Sequence, residues 1–589
     1  MKRLFCLILV CVLLTSCASM PSRTVTSSLE RLGRGMYVIK ADEGMFISWR
    51  YLAADTPDTV FELYRDNSLI YTSSSGDATC FLDAEGTTES SYTLVYGSET
   101  VIPTVTSEHD YIDIPLSKPA DNYTPNDCSV GDVDGDGEYE IFLKWQPDNA
   151  KDNSQKGITD NTIIDCIRLD GTLLWRIDLG INIRSGAHYT QFLVADFDGD
   201  GRAEMTCKTS DGTVDGLGNV IGSPDADFRN DQGQILWGGE YYTLFDGLTG
   251  EALDSVPYKP ERGDVNSWGD NYGNRSERYL GAVCYFGDNP SAVTVRGYYT
   301  RMTAVAYDVV DKKLVERWYF NAPFESDDGY GDGYHNCMPA DVDGDGRQEL
   351  FLGGVCLDDN GEVLWCTNQG HGDALHIGDF LPDRAGLEAW ICHENPPYGL
   401  SLLDAATGKT IFRIENDDDT GRACAGNILA SNKGAEFWGM GSVYNGKGKT
   451  LDLKRPGVNF VIYWDGDLER EILDSSSDSP LGVYKPNSDG DFDRIKTTKG
   501  HLSNNSTKAT PNLSGDILGD WREEIIARSS DGNSLRIYMT DIPTEYRIVT
   551  LMHDLQYRTQ VAGQNVAYNQ PPHTSYYLGS DRQLPAYIQ

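Results

Sequence analysis

Between residue 31 and about residue 108, apolar and polar positions alternate in short runs. The clearest are Met36-Tyr37-Val38-Ile39, Met45-Phe46-Ile47-Ser48-Trp49 and Phe61-Glu62-Leu63-Tyr64-Arg65. A period of two turns one face of each run inward, so a small β-sandwich of the fibronectin-III kind is expected over 31–108. From 109 to 589 the pattern becomes a repeat. Short apolar runs (Ile141-Phe142-Leu143, Met205-Thr206-Cys207, Leu350-Phe351-Leu352, Ala389-Trp390-Ile391, Phe437-Trp438, Ile525-Ile526-Ala527) each follow an acidic loop or a degenerate copy of one. Between them recurs a turn leading into another strand, as at Asp170-Gly171 before Trp175, Asp246-Gly247, Asp359-Asn360-Gly361 before Trp365, and Asp404-Ala405. Loop, strand and hairpin units spaced by roughly 40 to 90 residues predict an all-β domain built as a β-propeller.

The N-terminus has its own pattern. Met1-Lys2-Arg3 is positive and Leu4 to Leu14 is apolar, a run of signal-peptide length that is too short for a permanent span. Leu14-Thr15-Ser16-Cys17 resembles a bacterial lipobox, which makes 1–17 a lipoprotein signal, Cys17 the lipidated residue and 18–30 a tether. The expected place is the bacterial cell envelope, lipid-anchored on the periplasmic or surface face of the outer membrane. A plain secretory signal and a secreted or periplasmic soluble protein are the alternative.

Charge narrows the partners. Acidic residues number 90 against 49 basic ones, a formal net charge of −41 over 589 residues. Nucleic acid is excluded as a partner, because phosphate binding needs clustered Lys and Arg. The 61 glycines suit a chain of tight turns. Ten cysteines outside the signal are scattered without a CxxC spacing, so they are expected as small buried residues. The chain is read as a monomer.

Much of the acid falls in one motif. Asp132, Asp134 and Asp136 precede Glu140; Asp196, Asp198 and Asp200 precede Glu204; Asp341, Asp343 and Asp345 precede Glu349. Weaker copies are Asp379/Asp383/Glu388 and Asp516/Asp520/Glu524, and Asn427/Ser431/Glu436 is degenerate. Carboxylates at alternate positions, a turn glycine and a closing glutamate fit a hard cation that wants about six to eight oxygens, so several Ca²⁺ ions are expected. An EF-hand does not fit, since the closing glutamate comes too early and no amphipathic helices flank the loops.

Longer blocks resemble a known family. Arg34-Gly35-Met36 through Ser48-Trp49-Arg50, Gly186-Ala187-His188-Tyr189-Thr190-Gln191-Phe192, Arg296-Gly297-Tyr298-Tyr299-Thr300-Arg301, His371-Gly372-Asp373-Ala374-Leu375-His376, Gly519-Asp520-Trp521-Arg522-Glu523-Glu524 and Tyr568-Asn569-Gln570-Pro571-Pro572-His573 are similar to the rhamnogalacturonan lyases of polysaccharide lyase family 11. The resemblance covers essentially the whole mature chain. It implies an eight-bladed propeller, bound calcium, and cleavage of the rhamnogalacturonan-I backbone of pectin, between rhamnose and galacturonate, by β-elimination. It also implies site residues: Lys508 as base with Tyr568 and Arg422 beside it, Asn126, Gln146, Asn505, Ser506 and Thr507 toward the sugar, and His335 and His371 toward calcium. Two positions depart from the family, which usually has Gly where Ser506 stands and often Asp where Gln146 stands. Apart from the resemblance, Lys508 reads as an exposed loop lysine, Tyr568 as a core tyrosine, Arg422 as a surface arginine, and the two histidines as satisfied loop or core residues.

The chemistry sets demands. β-Elimination removes the C5 proton of a uronate and expels the oxygen on C4, so a base must reach C5 and a cation must neutralise the adjacent carboxylate. On a chain of −41, cations must be placed locally. Calcium from the acidic loops is expected to supply them. Lys144, Lys208 and Arg528, each four residues past a closing glutamate, either form an anion-attracting ring or pair with neighbouring carboxylates. Two other function classes fit the pattern: a non-catalytic calcium-stabilised glycan-binding propeller and a glycoside hydrolase with two carboxylates.

Overall fold

The computed structural model describes residues 29–588. The leader, the lipobox Cys17 and nearly all of the tether lie outside the described residues. At the tether's end Glu30 is already held, accepting from Arg558 Nε at 2.8 Å and from the Tyr139 hydroxyl.

The alternating N-terminal segment forms two four-stranded sheets, one containing Tyr37–Lys40 and Met45–Ser48, the other Glu62–Arg65 and Tyr92–Tyr96. Between them lie Met36, Val38, Ile47, Trp49, Phe61, Leu63 and Leu94, as the alternation predicts. Tyr37, Ile39 and Phe46 instead share a core with Leu518 and Trp521, so the sandwich is packed directly on the larger array.

That array is eight consecutive antiparallel sheets among the described residues, most of them four-stranded. Their first strands are Tyr123–Gly131, Phe192–Ala195, Tyr279–Cys284, Gly333–Ala340, Leu375–Gly378, Cys424–Gly426, Phe460–Ile462 and Leu513–Gly515. First strands of successive sheets lie side by side from the first sheet to the fifth, and that of the eighth lies beside that of the first. The eighth sheet takes its outer strand, Tyr111–Pro115, from ahead of the first, with Tyr538 opposite Tyr111 and Ser534 opposite Pro115. The two ends of the array are thereby joined by a ladder of backbone hydrogen bonds.

The recurring turns serve as latches between sheets. Trp175 Nε1 donates to Gly247 O (2.7 Å), Trp318 Nε1 to Asp359 O (2.9 Å) and Trp365 Nε1 to Ala405 O (2.9 Å), each reaching from an outer strand into the turn of the next sheet. Gly361 shows why glycine sits in such a turn. Its φ is +83°, and a Cβ there would stand 2.7 Å from the Trp318 ring.

One element has no counterpart in the hydrophobic pattern. The helix Leu555–Ala562 is buried although Gln556, Arg558, Thr559 and Gln560 make it polar on several sides. It packs against first strands of the first, second, third, fourth and eighth sheets. Its polar side chains satisfy strand carbonyls: Arg558 Nη2 donates to Val130 O (3.2 Å) and Val194 O (3.4 Å), Gln556 Nε2 to Ile377 O (3.2 Å). A polar helix is stable here because its polar side chains find carbonyl and carboxylate partners while Tyr557 and Val561 join the apolar core. The ten described cysteines are all unpaired, and all but Cys366 are buried.

Candidate active site

The first strands have two different ends. The acidic loops follow them: Asp132 comes directly after Gly131, Asp196 after Ala195 and Asp341 after Ala340. Toward the opposite ends stand His188, His335, His371 and Asp373, Arg422 and Lys508, with Asn126 and Asp127 at the bulge midway along the strand Tyr123–Gly131. Asp127 and Asp132 are separated by about 16 Å of extended strand, and His335 and Asp341 by about 20 Å. The expectation that the Asp loops supply the cation facing the substrate is therefore corrected: they lie a strand's length away.

The site end is assembled around one buried carboxylate. Asp127 Oδ1 accepts from Asn504 Nδ2 (3.0 Å), Asn505 Nδ2 (2.7 Å) and Asn569 Nδ2 (3.0 Å), and its Oδ2 accepts from Lys144 Nζ (3.0 Å). Asn126 Nδ2 adds bonds to Asn504 Oδ1 (3.0 Å) and Asn505 Oδ1 (3.1 Å). This network ties the Lys508 loop to the segment carrying Tyr568. The loop needs tying, because Asn505, Ser506 and Ala509 all have positive φ, at 58°, 53° and 46°. Ser506 thus holds a conformation that glycine adopts freely. Ser506 and Thr507 are exposed at the tip, and Gln146 is half-buried on the strand paired with the one bearing Asn126.

Lys508 Nζ lies 3.8 Å from the centroid of the Tyr568 ring. Burial and the Arg422 guanidinium pull its pKa down to about 8, against the opposing pull of Asp373 and Asp419. Arg422 is buried, with Nη2 on Asn569 O at 3.2 Å, while its Nε and Nη1 find no protein partner. Buried guanidinium donors left open are a place for an anion.

Tyr568 stacks on His335 at 4.1 Å. His335 Nε2 meets the Tyr299 hydroxyl at 2.8 Å and Asp373 Oδ1 at 3.4 Å. His371 directs Nδ1 at the Gly333 carbonyl and places Nε2 3.1 Å from Glu394 Oε2. His335, His371, Asp373 and Glu394 together place one donor atom each within 4.8 Å of one another. Burial raises Asp373 to about 6, the response of a carboxylate held away from water without enough positive charge. Asp373, Glu394 and Asp127 were not singled out from the sequence. Asp373 lies in the His371-Gly372-Asp373 block and Asp127 directly follows Asn126, but nothing near Glu394 marks it.

At the other end three loops form carboxylate clusters: Asp132 with Asp134 and Asp136, Asp196 with Asp198, Asp200 and Glu204, and Asp341 with Asp343 and Glu349. Glu140 and Asp345 fall outside their clusters; Asp345 Oδ1 accepts from Arg347 N at 2.8 Å. Asp134 Oδ1 and Glu349 Oε1 are buried without a partner, and burial raises Glu140 to about 7, Glu204 to about 9 and Glu349 to about 8. These donor sets fit a hard divalent cation.

The weaker loops do not gather in this way. Asp383 faces Lys433 (2.6 Å) and Arg582 (2.8 Å), and Glu388 is held by Arg384 at 2.8 Å, leaving Asp379 apart. Asp516 accepts from Thr550 Oγ1 (2.7 Å) and Leu551 N (2.6 Å), Asp520 is gripped by Arg522 at 2.8 and 2.7 Å, and Glu524 binds backbone. A fourth cluster, Asp465 with Asp467 and Glu471, was missed because Tyr463 stands where the other loops have their first aspartate. No ring of free cations forms either: Lys144 pairs with Asp127, Lys208 with Glu240 (3.2 Å) and Arg528 with Asp478 (2.6 Å).

Comparison with known proteins agrees with this arrangement. Residues 111–587 match the model of rhamnogalacturonan lyase family 11, C-terminal domain, and 27–106 that of the rhamnogalacturonan I lyases beta-sheet domain. The rhamnogalacturonan endolyase YesW of Bacillus subtilis is 46% identical over 98% of this chain and 96% of its own length. The exolyase YesX of the same organism is also 46% identical, over 95% and 96%. The crystal structure of exotype YesX superposes with a TM-score of 0.92 over 96% of this chain and 99% of that one at 44% identity, and the Bacillus licheniformis rhamnogalacturonan lyase with 0.91 over the same shares at 45%. On residues 27–106 and 111–587 together, the chain belongs to rhamnogalacturonan lyase family 11 and is a polysaccharide lyase.

Proposed function

We propose that this lyase cleaves the rhamnogalacturonan-I backbone of pectin between rhamnose and galacturonate by β-elimination, leaving an unsaturated galacturonate end. The observation that carries the reading is the pairing of a lysine whose pKa is drawn down to about 8 with an adjacent buried arginine whose donors are open. Neutral Lys508 takes the C5 proton of the uronate. Arg422 receives the uronate carboxylate and stabilises the charge that develops on it. The C4–O bond then breaks, the electron pair leaves with the rhamnose-side oxygen, which takes a proton from water to become a hydroxyl, and C4=C5 forms in conjugation with the carboxylate. Tyr568 holds the Lys508 ammonium after proton transfer by its ring face. Asn126 and Asn505, held together by hydrogen bonds, and Gln146, Ser506 and Thr507 nearby form the polar wall toward the sugar.

His335, His371, Asp373 and Glu394 would hold a divalent cation, which when bound adds charge neutralisation at the carboxylate. Calcium at the three Asp-loop clusters supports the fold and lies too far to touch the reacting sugar. The ring of first strands and the shared eighth sheet support an eight-bladed propeller closed around the Leu555–Ala562 helix.

The test is incubation of purified protein with rhamnogalacturonan-I while following ultraviolet absorbance of the conjugated double bond, with and without chelator. A rise that chelation abolishes and calcium restores is expected. No rise overturns the lyase reading of this site, a rise indifferent to exhaustive chelation overturns the metal role, and new reducing ends without a rise mean hydrolysis. We further propose anchoring through Cys17 in the cell envelope and a monomeric state. Cys17→Ala is expected to move the protein from the membrane to the soluble fraction, and light scattering is expected to give the mass of one chain.

A further inference from the structure

Seven of the eight sheets open their second strand with a glutamate: Glu140, Glu204, Glu349, Glu388, Glu436, Glu471 and Glu524. All seven do one thing alike. Oε2 accepts from a backbone N–H of the preceding loop, at Val133, Phe197, Val342, Phe380, Ile428, Trp464 and Ile517. The other oxygen varies in what it meets. Glu388 Oε1 takes the Arg384 guanidinium at 2.8 Å and Glu436 Oε1 the Asn432 amide at 2.5 Å. Glu204 and Glu349 face only carboxylates of their own loops.

Glu471 belongs to neither group. Asp465, Asp467 and Glu471 converge as tightly as the calcium-type clusters, and Glu471 is fully buried with no hydrogen bond to Oε1. Into this cluster, from the neighbouring strand Gly482–Pro486, comes Lys485. Its ammonium contacts Asp465 Oδ2, lies 2.6 Å from Asp467 Oδ2 and 3.5 Å from Glu471 Oε1. It therefore touches one oxygen of each of the three carboxylates, the place a shared cation would occupy.

We infer that the seventh-sheet loop carries its own cation: the Lys485 ammonium replaces a divalent ion there, and the loop becomes a metal site only when that ammonium is removed. The inference rests on the calcium reading of the other loops for its comparison. An ammonium with two short charge-assisted contacts, to Asp465 and Asp467, and a longer approach of 3.5 Å to Glu471 does not need six or more oxygens, so it closes a loop too small and too poor in ligands for calcium to hold well. This sheet is then independent of calcium supply.

Counting Ca²⁺ bound per chain, by equilibrium dialysis against the labelled ion, tests it with thermal unfolding as a second readout. Lys485→Met is expected to bind one more Ca²⁺ than the wild type and to regain by calcium the unfolding temperature it loses in chelator. Asp467→Asn in the wild-type background is expected to leave the count unchanged. A count that falls by one in Asp467→Asn, or an unchanged count in a folded Lys485→Met, overturns the inference. A wild type that binds no calcium at all overturns the calcium reading of the other loops, while the difference between variants still decides the role of Lys485.

Discussion

The two ends of the first strands use the same residue types for opposite purposes. At one end, clustered carboxylates such as Asp196, Asp198, Asp200 and Glu204 gather in loops one after another, and their mutual repulsion and burial demand a cation. At the other, Asp373 and Glu394 stand among histidines, and Asp127 is surrounded by three asparagine amides and a lysine, so its charge is spent on holding a loop in place. The difference shows that acid content does not locate catalysis. What marks the site end is cations and imidazoles lacking full sets of partners, such as Arg422 and His371.

Substitutions at the two ends should separate activity from stability. Lys508→Met removes the base and should lower kcat by about 10²–10⁴-fold with the unfolding temperature unchanged. An unaltered rate would move the base elsewhere. Asp127→Asn breaks the hub and leaves Lys144 unpaired; through misplacement of the Lys508 loop it should cost up to about 10²-fold in kcat, with KM changed less. Equal losses in KM and none in kcat would make Asp127 a binding residue instead.

The pH profile sharpens the contrast further. Because Lys508 acts neutral, kcat should rise with pH through a midpoint near 8. Removing the positive neighbour in Arg422→Met relieves pressure on the protonated form, so that midpoint should move up. A downward shift would mean that the titrating group is not Lys508. The smallest effect belongs to the far end: Glu349→Gln should lower the unfolding temperature by only about 2–4 °C and leave kcat/KM as it was. A large loss of activity there would erase the distinction between the ends.

Individual residues show where sequence reasoning reaches and where it stops. The Asp-x-Asp-x-Asp-Gly loops are local, so their spacing alone predicts the clusters at Asp132, Asp196 and Asp341. The weaker copies mislead because a neighbour decides them: Arg384 and Arg522 lie inside those loops, and only the folded chain shows their guanidinium groups on Glu388 and Asp520. The Leu555–Ala562 helix was invisible for a related reason. Apolar periodicity reports an apolar face, whereas this helix puts only Tyr557, Val561 and Ala562 into apolar clusters and is otherwise buried through polar side chains that bond strand carbonyls.

Short stretches of the chain were enough for the all-β character, the repeat, the alternating N-terminal strands, the acidic loops and, through family-like blocks, the lyase family. These are properties of short stretches, where period, turn glycines and ligand spacing act over a few residues. Only the folded chain shows that Arg422 keeps open donors in a buried position, that Asp127 joins residues some 380 to 440 positions away, and that Lys485 lies among three carboxylates. Such pairings rest on chain closure over long separations, and burial then turns them into shifted pKa values and open donors that no local pattern encodes.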